Sequence, residues 1–507
     1  VSIRAALISG LASRFYIAVL NFLSVPILLH WLGIEAMGLI GLIATIQALF
    51  SVVEAAVAGV VTQQSAVLPR DAGGRATALA ILRGAERAYW VSTPIVLLLS
   101  FAAAAIFLYG WASATQLGLR EATISVALLA ASASLLWPTS YYGAVLYGLG
   151  RQGTVGLITS ITWTARIGGG LLLLHLLGKQ PSIYFAWQAV ASVFGVVALR
   201  AGVGRALPDW ASIAGSVRHA MRDIGAFVAS VSAVTAAALV FNQMDKVIVG
   251  KLFSLELFGY YSLAWQLAGA LSLIYTPVYS AFLPAISRAH AEGNNALVAR
   301  LVTDATVIMG LMVLPLGSAV WFVSEGLLFA WTGDATTAMG TSVFLKFAFA
   351  GAAANALIFV PFAAQMATQT TAITLRAILA SIVIALPLML FASSHYGVAG
   401  VVATWAVTSI AQVGAVLYLT VTTILQMPVG KWVWRNLGAI ALPAIGVLVV
   451  LEPFWPKAPT RSGSAVVVLS ALALCYAVTL LLNWRTVASV LAGPSRRGVS
   501  VSREQRI

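Results

Sequence analysis

Residues 241–264 read FNQMDKVIVGKLFSLELFGYYSLA. An apolar run ends in Asn242, Gln243, Asp245 and Lys246, and a short apolar piece then leads to Lys251. A turn at Ser254–Glu256 follows, and a second long apolar run opens on Gly259, Tyr260 and Tyr261. Where the hydrophobic runs are long enough to cross a bilayer, this is the outer end of one spanning helix, a tight connection and the start of the next. The stretch has an echo 221 residues earlier (242 − 21), which places Asn21 under Asn242, Glu35 under Glu256 and Gly38 under Gly259. There LGIEAMGLIGL underlies FSLELFGYYSL, at the same helix–turn–helix in each half, and points to an internal duplication.

Composition agrees with a chain that lives in lipid. Charged residues make up 9% of the 507 and hydrophobic ones 61%, and the mean hydropathy is +0.96. A soluble protein of this size needs a polar surface that such a composition cannot supply. Apolar runs recur along the whole length, so the prediction is an all-α polytopic membrane protein. The first run continues to helix length and reads as a retained span rather than a signal peptide. A single cysteine, Cys475, excludes an intrachain disulfide. The net charge of +14 could suit nucleic acid, but its distribution reads as the positive-inside bias of a membrane protein, and no nucleic-acid partner is expected.

Fourteen spans are predicted, at 8–31, 36–60, 88–110, 121–149, 154–177, 182–202, 224–250, 256–284, 304–324, 337–365, 372–394, 397–425, 437–454 and 465–484. With the N-terminus inside, nineteen of the 29 basic residues fall on inside segments and six outside, which sets both termini in the cytoplasm. The six-helix spacing of the echo predicts two parallel lobes, 1–202 and 224–425, related by an axis along the membrane normal around a central cavity. A cytoplasmic linker at 203–223 joins them. Two added helices lie at 437–484 and a basic tail at 485–507. The largest loops, at 61–87, 203–223 and 285–303, all lie inside, the last of them along the membrane surface. No outside loop is large enough to form a domain, and no G-x-x-x-x-G-K-[ST] stretch occurs, so the work falls to the helices themselves.

A charge at mid-bilayer costs at least ~2.5–3.5 kcal/mol, so each one needs a reason. Arg166 sits near the middle of SITWTARIGGGLLLL, with Thr162 and Gly169 on its face. Glu54 shares a stripe with Gln47 and Ser51, Arg14 aligns with Asn21, and Lys346 lies about two turns inside its helix. These residues, with Asn242 and Asp245, are the candidate cavity-lining, substrate-binding set. Blander readings stand beside them. Arg14 and Arg376 can snorkel to headgroups, Glu54 can serve as an ion-pair partner for Arg14 or Arg166, and Asp245–Lys246 can be interfacial. The five histidines are scattered with no ligand spacing. Neither a metal site, a cofactor nor a catalytic set is therefore expected.

The 241–264 stretch is followed by an apolar helix with Pro277, Phe282-Leu283-Pro284 and Ser287-Arg288. Together they resemble the seventh and eighth helices of bacterial polysaccharide (O-antigen-type) flippases, of the multidrug/oligosaccharidyl-lipid/polysaccharide exporter (MOP) superfamily. WLGIEAMGLIGLI (31–43) resembles the matching stretch of their first two helices. The resemblance implies two six-helix bundles forming a V-shaped cavity, with two extra helices. It also implies a substrate, an oligosaccharide on a polyprenyl pyrophosphate, moved from the inner to the outer leaflet of the bacterial cytoplasmic membrane for surface polysaccharides such as lipopolysaccharide O-antigen. Besides membrane lipids, a polysaccharide polymerase and a chain-length regulator are the partners it suggests. In related flippases a basic residue of helix 1 faces the cavity, and Arg14 matches that placement. The multidrug branch often has an acid in helix 1. This chain has none, its nearest intramembrane acid being Glu54 on helix 2, which counts against the alternative of a multidrug/cation antiporter. A membrane polysaccharide polymerase, the other alternative, would need a sizeable outside loop. An excess of intramembrane cations over acids favours an anionic substrate.

Overall fold

The computed structural model describes residues 3–68, 72–111, 117–212, 232–454 and 460–491, and they are helical almost throughout. The helices are α1 Ile3–Leu32, α2 Ile34–Ala66, α3 Ala72–Trp111, α4 Leu119–Gly148, α5 Gln152–Leu177, α6 Pro181–Ala206 and α7 Ser232–Leu252. They continue with α8 Leu255–Ala291, α9 Asn295–Thr332, α10 Ala335–Ala367, α11 Ala372–Leu425, α12 Val429–Leu451, α13 Arg461–Leu482 and the short α14 Trp484–Leu491. Twelve of the described helices are long and apolar enough to cross a membrane. The fourteen expected spans map onto these elements. Helix α7, with Asn242, Gln243, Asp245 and Lys246 in its middle, is less apolar than the twelve. Helix α11 carries two expected spans joined across Gly397, whose φ of 62° breaks the helical path.

Two of the loops expected on the inner side are shorter than the sequence suggests. Most of 61–87 is helix, because α2 runs on to Ala66 and α3 begins at Ala72. The extension is held by packing. The Thr62 hydroxyl donates to the Ala144 carbonyl (3.2 Å), and Leu79 and Leu82 enter a core with Tyr141 and Tyr142. The 285–303 segment is a turn at Gly293, φ 68°, after which Asn294 caps α9 by accepting the Leu297 N–H (3.0 Å). Residues 213–223 of the expected linker, 224–231 of the second expected lobe and the tail from 492 lie outside the described residues. Pro138 does not interrupt α4, which is continuous across it.

The chain divides into two compact units, Val1–Ser262 and Leu263–Ile507. The boundary falls inside α8, so α7 and the first two turns of α8 belong with the first unit. There the duplicated sequences meet. A Cβ on Gly38 would lie 2.7 Å from the Leu255 carbonyl oxygen and 3.3 Å from the Gly259 nitrogen, and one on Gly259 would strike the Ile34 carbonyl. Only glycine permits backbones this close. One end of the unit is tied by Glu86, which is 3% exposed. Its carboxylate accepts from Tyr142 (2.7 Å), Arg200 (3.3 Å) and Arg83, and the Arg83 guanidinium lies over the Trp210 ring at 4.5 Å.

In the second unit, the α9–α10 pair and α13 pack closely. Ala319, Val323, Ala444, Leu448, Val468, Ala471 and Cys475 form one buried cluster across α9, α12 and α13. Arg461 donates to the carbonyls of Ala330 (2.9 Å) and Trp331 (2.7 Å), satisfying the C-terminal turn of α9. Asp334 caps α10 by accepting the Thr337 N–H (2.8 Å).

Candidate functional site

The first unit holds a cavity of about 470 Å³ between α2, α4, α5 and α6, lined by apolar and polar side chains together. Ser51, Glu54, Ala58 and Thr62 recur at three- and four-residue spacing along one face of α2 and form one wall. Thr139, Ser140 and Tyr147 come from α4, Thr159, Thr162 and Trp163 from α5, and Gly195 and Leu199 from α6. The direction of the hydroxyl protons sets the character of this wall. Ser51 donates to Ala48 O (2.6 Å), Thr62 to Ala144 O, Thr139 to Leu136 O and Ser140 to Trp137 O (3.2 Å). Thr159 donates to Val155 O (2.7 Å) and Thr162 to Ile158 O (2.8 Å). Each helix carbonyl takes the one proton its hydroxyl has, which leaves oxygen lone pairs for a ligand. Glu54 adds a carboxylate with no hydrogen bond or ion pair among the described residues.

Beside this cavity, α5 contains a π-helical turn, Ala165–Gly169. Two carbonyls of the turn take side-chain donors from α6. Trp187 Nε1 donates to Ala165 O (2.7 Å) and Gln188 Nε2 to Arg166 O (2.9 Å). The turn directs Arg166 onto Gln188 Oε1 (2.7 Å, from Nε) and Ser132 Oγ (3.2 Å, from Nη2). Its guanidinium stacks at 4.8 Å over Trp163, and Nη1 has no hydrogen-bond partner among the described residues. Arg166 is 7% exposed, and it is not among the lining residues of the cavity. The face shared by Thr162, Arg166 and Gly169 is the one that packs on α6, where Thr162 fills the space at Gly195 and Trp187 that at Gly169.

The other sequence-predicted residues are dispersed. Arg14 is exposed on α1 and makes no ion pair among the described residues. Asn21 and Asn242 repeat one local geometry, each side-chain amide donating to the carbonyl four residues back, Ile17 (2.9 Å) and Ala238 (2.8 Å). Asp245 is fully buried in mid-α7. It accepts from the Tyr261 hydroxyl and, at 3.4 Å, from Lys246, whose Nζ also donates to the Asn242 carbonyl (2.6 Å). Lys346 is half-buried on α10 in the second unit. Of the seven, Glu54 lines the cavity. Sequence reasoning misses Thr62, Thr139, Ser140, Tyr147, Thr159 and the Arg166 partners Gln188 and Ser132. The helical spacing of Ser51 and Thr62 on α2, and of Thr159 and Thr162 on α5, is a signal for those members of the wall alone. No group of three or more potential metal ligands occurs among the described residues.

Residues 185–341 match the family described as "Polysaccharide biosynthesis protein". Among solved structures, the chain is similar to "Lipid II flippase MurJ, inward closed conformation", with a TM-score of 0.70 at 12% identity, covering 95% of this chain and 100% of that one. It is also similar to an inward-facing multidrug resistance MATE family transporter of the MOP superfamily (TM-score 0.66, 13% identity, 82% and 96% covered). A MOP superfamily transporter from Pyrococcus furiosus, described by the reverse polarity of its binding pocket, is similar at a TM-score of 0.54 and 13% identity, with 83% and 95% covered. No curated protein sequence matches the chain. Identities this low speak to fold alone. The chain is thus a multi-pass membrane protein whose fold is similar to those of MurJ and of MATE transporters, and whose residues 185–341 match the family described as "Polysaccharide biosynthesis protein".

Proposed function

We propose that the protein flips a polyprenyl-pyrophosphate-linked oligosaccharide from the inner to the outer leaflet of the bacterial cytoplasmic membrane, with both of its termini in the cytoplasm, for surface polysaccharides of the O-antigen class. The observation that carries this reading is the polysaccharide biosynthesis match over residues 185–341 in a chain with the fold of MurJ, itself a lipid II flippase. The physical demand is a polar path for a headgroup whose hydroxyls each cost a few kcal/mol unpaired in hydrocarbon. Exposed Arg14 of the first unit, with no acid partner among the described residues, is the proposed contact for the pyrophosphate, and half-buried Lys346 of the second unit is by itself a further candidate cation. Arg166, charged beside the cavity, adds a positive field from behind Trp163. Asn21, Asn242 and Asp245 supply polar groups along α1 and α7. A polysaccharide polymerase and a chain-length regulator are the proposed partners.

Deletion of the gene tests this. The expected result is loss of surface glycan with build-up of its lipid-linked unit on the cytoplasmic leaflet, restored by the wild-type gene but not by Arg14→Ala/Lys346→Ala. Intact surface glycan together with new sensitivity to cationic drugs would instead assign a multidrug antiporter.

A further inference from the structure

We propose that the second unit holds a carbohydrate site, a ladder of four aromatic rings between α8 and α10 that stacks a neutral sugar ring of the carried headgroup. The proposal rests on the flippase reading and names the part of the protein that takes the glycan. Tyr275 and Tyr279 stand one turn apart on α8, and Phe359 and Phe362 one turn apart on α10. Tyr275 stacks on Phe359 with ring centroids 4.2 Å apart and planes at 13°. Tyr279 meets the same Phe359 edge-on at 5.8 Å and lies nearly parallel to Phe362 at 6.4 Å. All four rings are half-buried, so part of each remains open.

Unused polar atoms distinguish this ladder from ordinary helix packing. Neither tyrosine hydroxyl bonds to a described residue, whereas Tyr141, Tyr142, Tyr261 and Tyr476 each donate to a carbonyl or carboxylate. Tyr275 lies nine residues (284 − 275) from the end of its expected span, about 13 Å at 1.5 Å per residue, which is deeper than a headgroup belt. Hydrocarbon offers a hydroxyl neither donor nor acceptor, and a polar ligand removes that cost. Asn355 shares the face of Phe359 and Phe362, and its amide donates to Ser409 Oγ on α11 (3.2 Å). One amide proton and the Oδ1 of Asn355 are left for a ligand. Pro277 and Pro361 stand inside the two aromatic pairs, and each lacks the N–H that would bond the carbonyl four residues back, Leu273 and Leu357.

This chemistry selects a sugar. The negative face of an aromatic ring attracts the C–H bonds on the apolar face of a pyranose. The sugar's rim of hydroxyls, each both donor and acceptor, then meets the tyrosine hydroxyls and the Asn355 amide. Residues 257–287 of α8, 347–367 of α10 and 397–425 of α11 contain no Asp, Glu, Lys or Arg. A pyrophosphate therefore finds no cation on these stretches. A cationic drug would find the ring faces but no carboxylate, and it would leave the hydroxyls unused.

The test uses the full-length protein, purified in a detergent without a sugar headgroup, and two probes. One is bare polyprenyl pyrophosphate, the other the lipid-linked glycan extracted from the deletion strain, and native mass spectrometry measures the affinity for each. Wild type is expected to prefer the glycan-bearing lipid. Tyr275→Phe/Tyr279→Phe keeps the rings and removes the hydroxyls, and it should cut that preference about tenfold. Phe362→Leu removes a stacking ring and should act in the same direction. Both variants should bind the bare lipid as wild type does, which mere loosening of α8 from α10 would not give. A preference that survives in both variants overturns the inference and leaves the flippase reading standing. No preference in wild type, or no lipid-linked glycan to extract, overturns the two together. Tight binding of tetraphenylphosphonium that the same variants lose would overturn the inference in favour of a cation. If Phe362→Leu does not accumulate, the double tyrosine variant, which conserves volume, decides alone.

Discussion

Arg166 shows how differently one residue reads in the sequence and in place. Its depth suggests a charge presented to a cavity. In the structure its guanidinium bridges α5 to α4 and α6, with Nη1 unpartnered and no carboxylate within reach among the described residues. This geometry makes an asymmetric prediction. Gln188→Leu removes the best acceptor of a buried charge and should cost about 1.5–3 kcal/mol, read as a lowered Tm in detergent. Arg166→Met removes the charge along with its desolvation cost and should lose less, or nothing. Arg166→Met protein that accumulates normally but exports no glycan would support the field proposed for Arg166 in substrate binding. Equal losses of Tm in both variants would show that the guanidinium is not the costly partner.

At the scale of elements, the duplicated motif packs against its own copy. Gly38 of α2 meets Gly259 of α8, residues one repeat apart in the sequence. The equivalence stops at the neighbouring acids. Glu35 is buried and accepts the Leu117 N–H (3.0 Å), whereas Glu256 accepts from Tyr260 in its own helix (3.2 Å). Gly38→Ala and Gly259→Ala should each destabilise by about 1–3 kcal/mol, because the added methyl meets backbone rather than a movable side-chain tip. An unchanged Tm for both would mean that α2 and α8 can separate freely. A second element-scale prediction concerns the start of α10. Hydrogen bonding from Thr337 holds the Asp334 carboxyl below its usual value. A lowered folded-state pKa stabilises above the unfolded one, and that contribution disappears as pH falls through the depressed range. Asp334→Ala should therefore cost about 1 kcal/mol at neutral pH, less in strong acid, while Asp334→Asn keeps most of the cap. Melting curves at the two pH values check the sign.

The prediction for the whole molecule is topological. Nineteen basic residues on the proposed inner segments against six outside give fourteen crossings with both ends in the cytoplasm. Reporter fusions should place residue 461 outside and residue 507 inside, and either one reversed would remove a crossing from the scheme. The two compact units divide at Ser262/Leu263. This places α7 in the first of them, although the repeat assigns its sequence to the second half. Contacts of α7 with α2 and α3 account for that grouping, since compactness follows packing and not descent.

The sequence by itself determined the all-helical membrane class and the family resemblance. Apolar length is a local property, and Gly33, Gly118, Gly293 and Gly333, all at positive φ, mark turns that a reader of the chain can place. It also marked Glu54 and Arg166 as residues needing an explanation, because the cost of a charge in lipid follows from residue type and depth. What only the tertiary structure decided is how each charge is met. Thr62, Thr139 and Thr162 sit on three helices, and their shared wall exists only once those helices pack. Gln188 lies 22 residues from Arg166, and nothing local pairs them until α6 packs on the π turn. The direction of a hydroxyl proton and the partner of a buried guanidinium depend on neighbours distant in sequence, which hydrophobic periodicity does not encode.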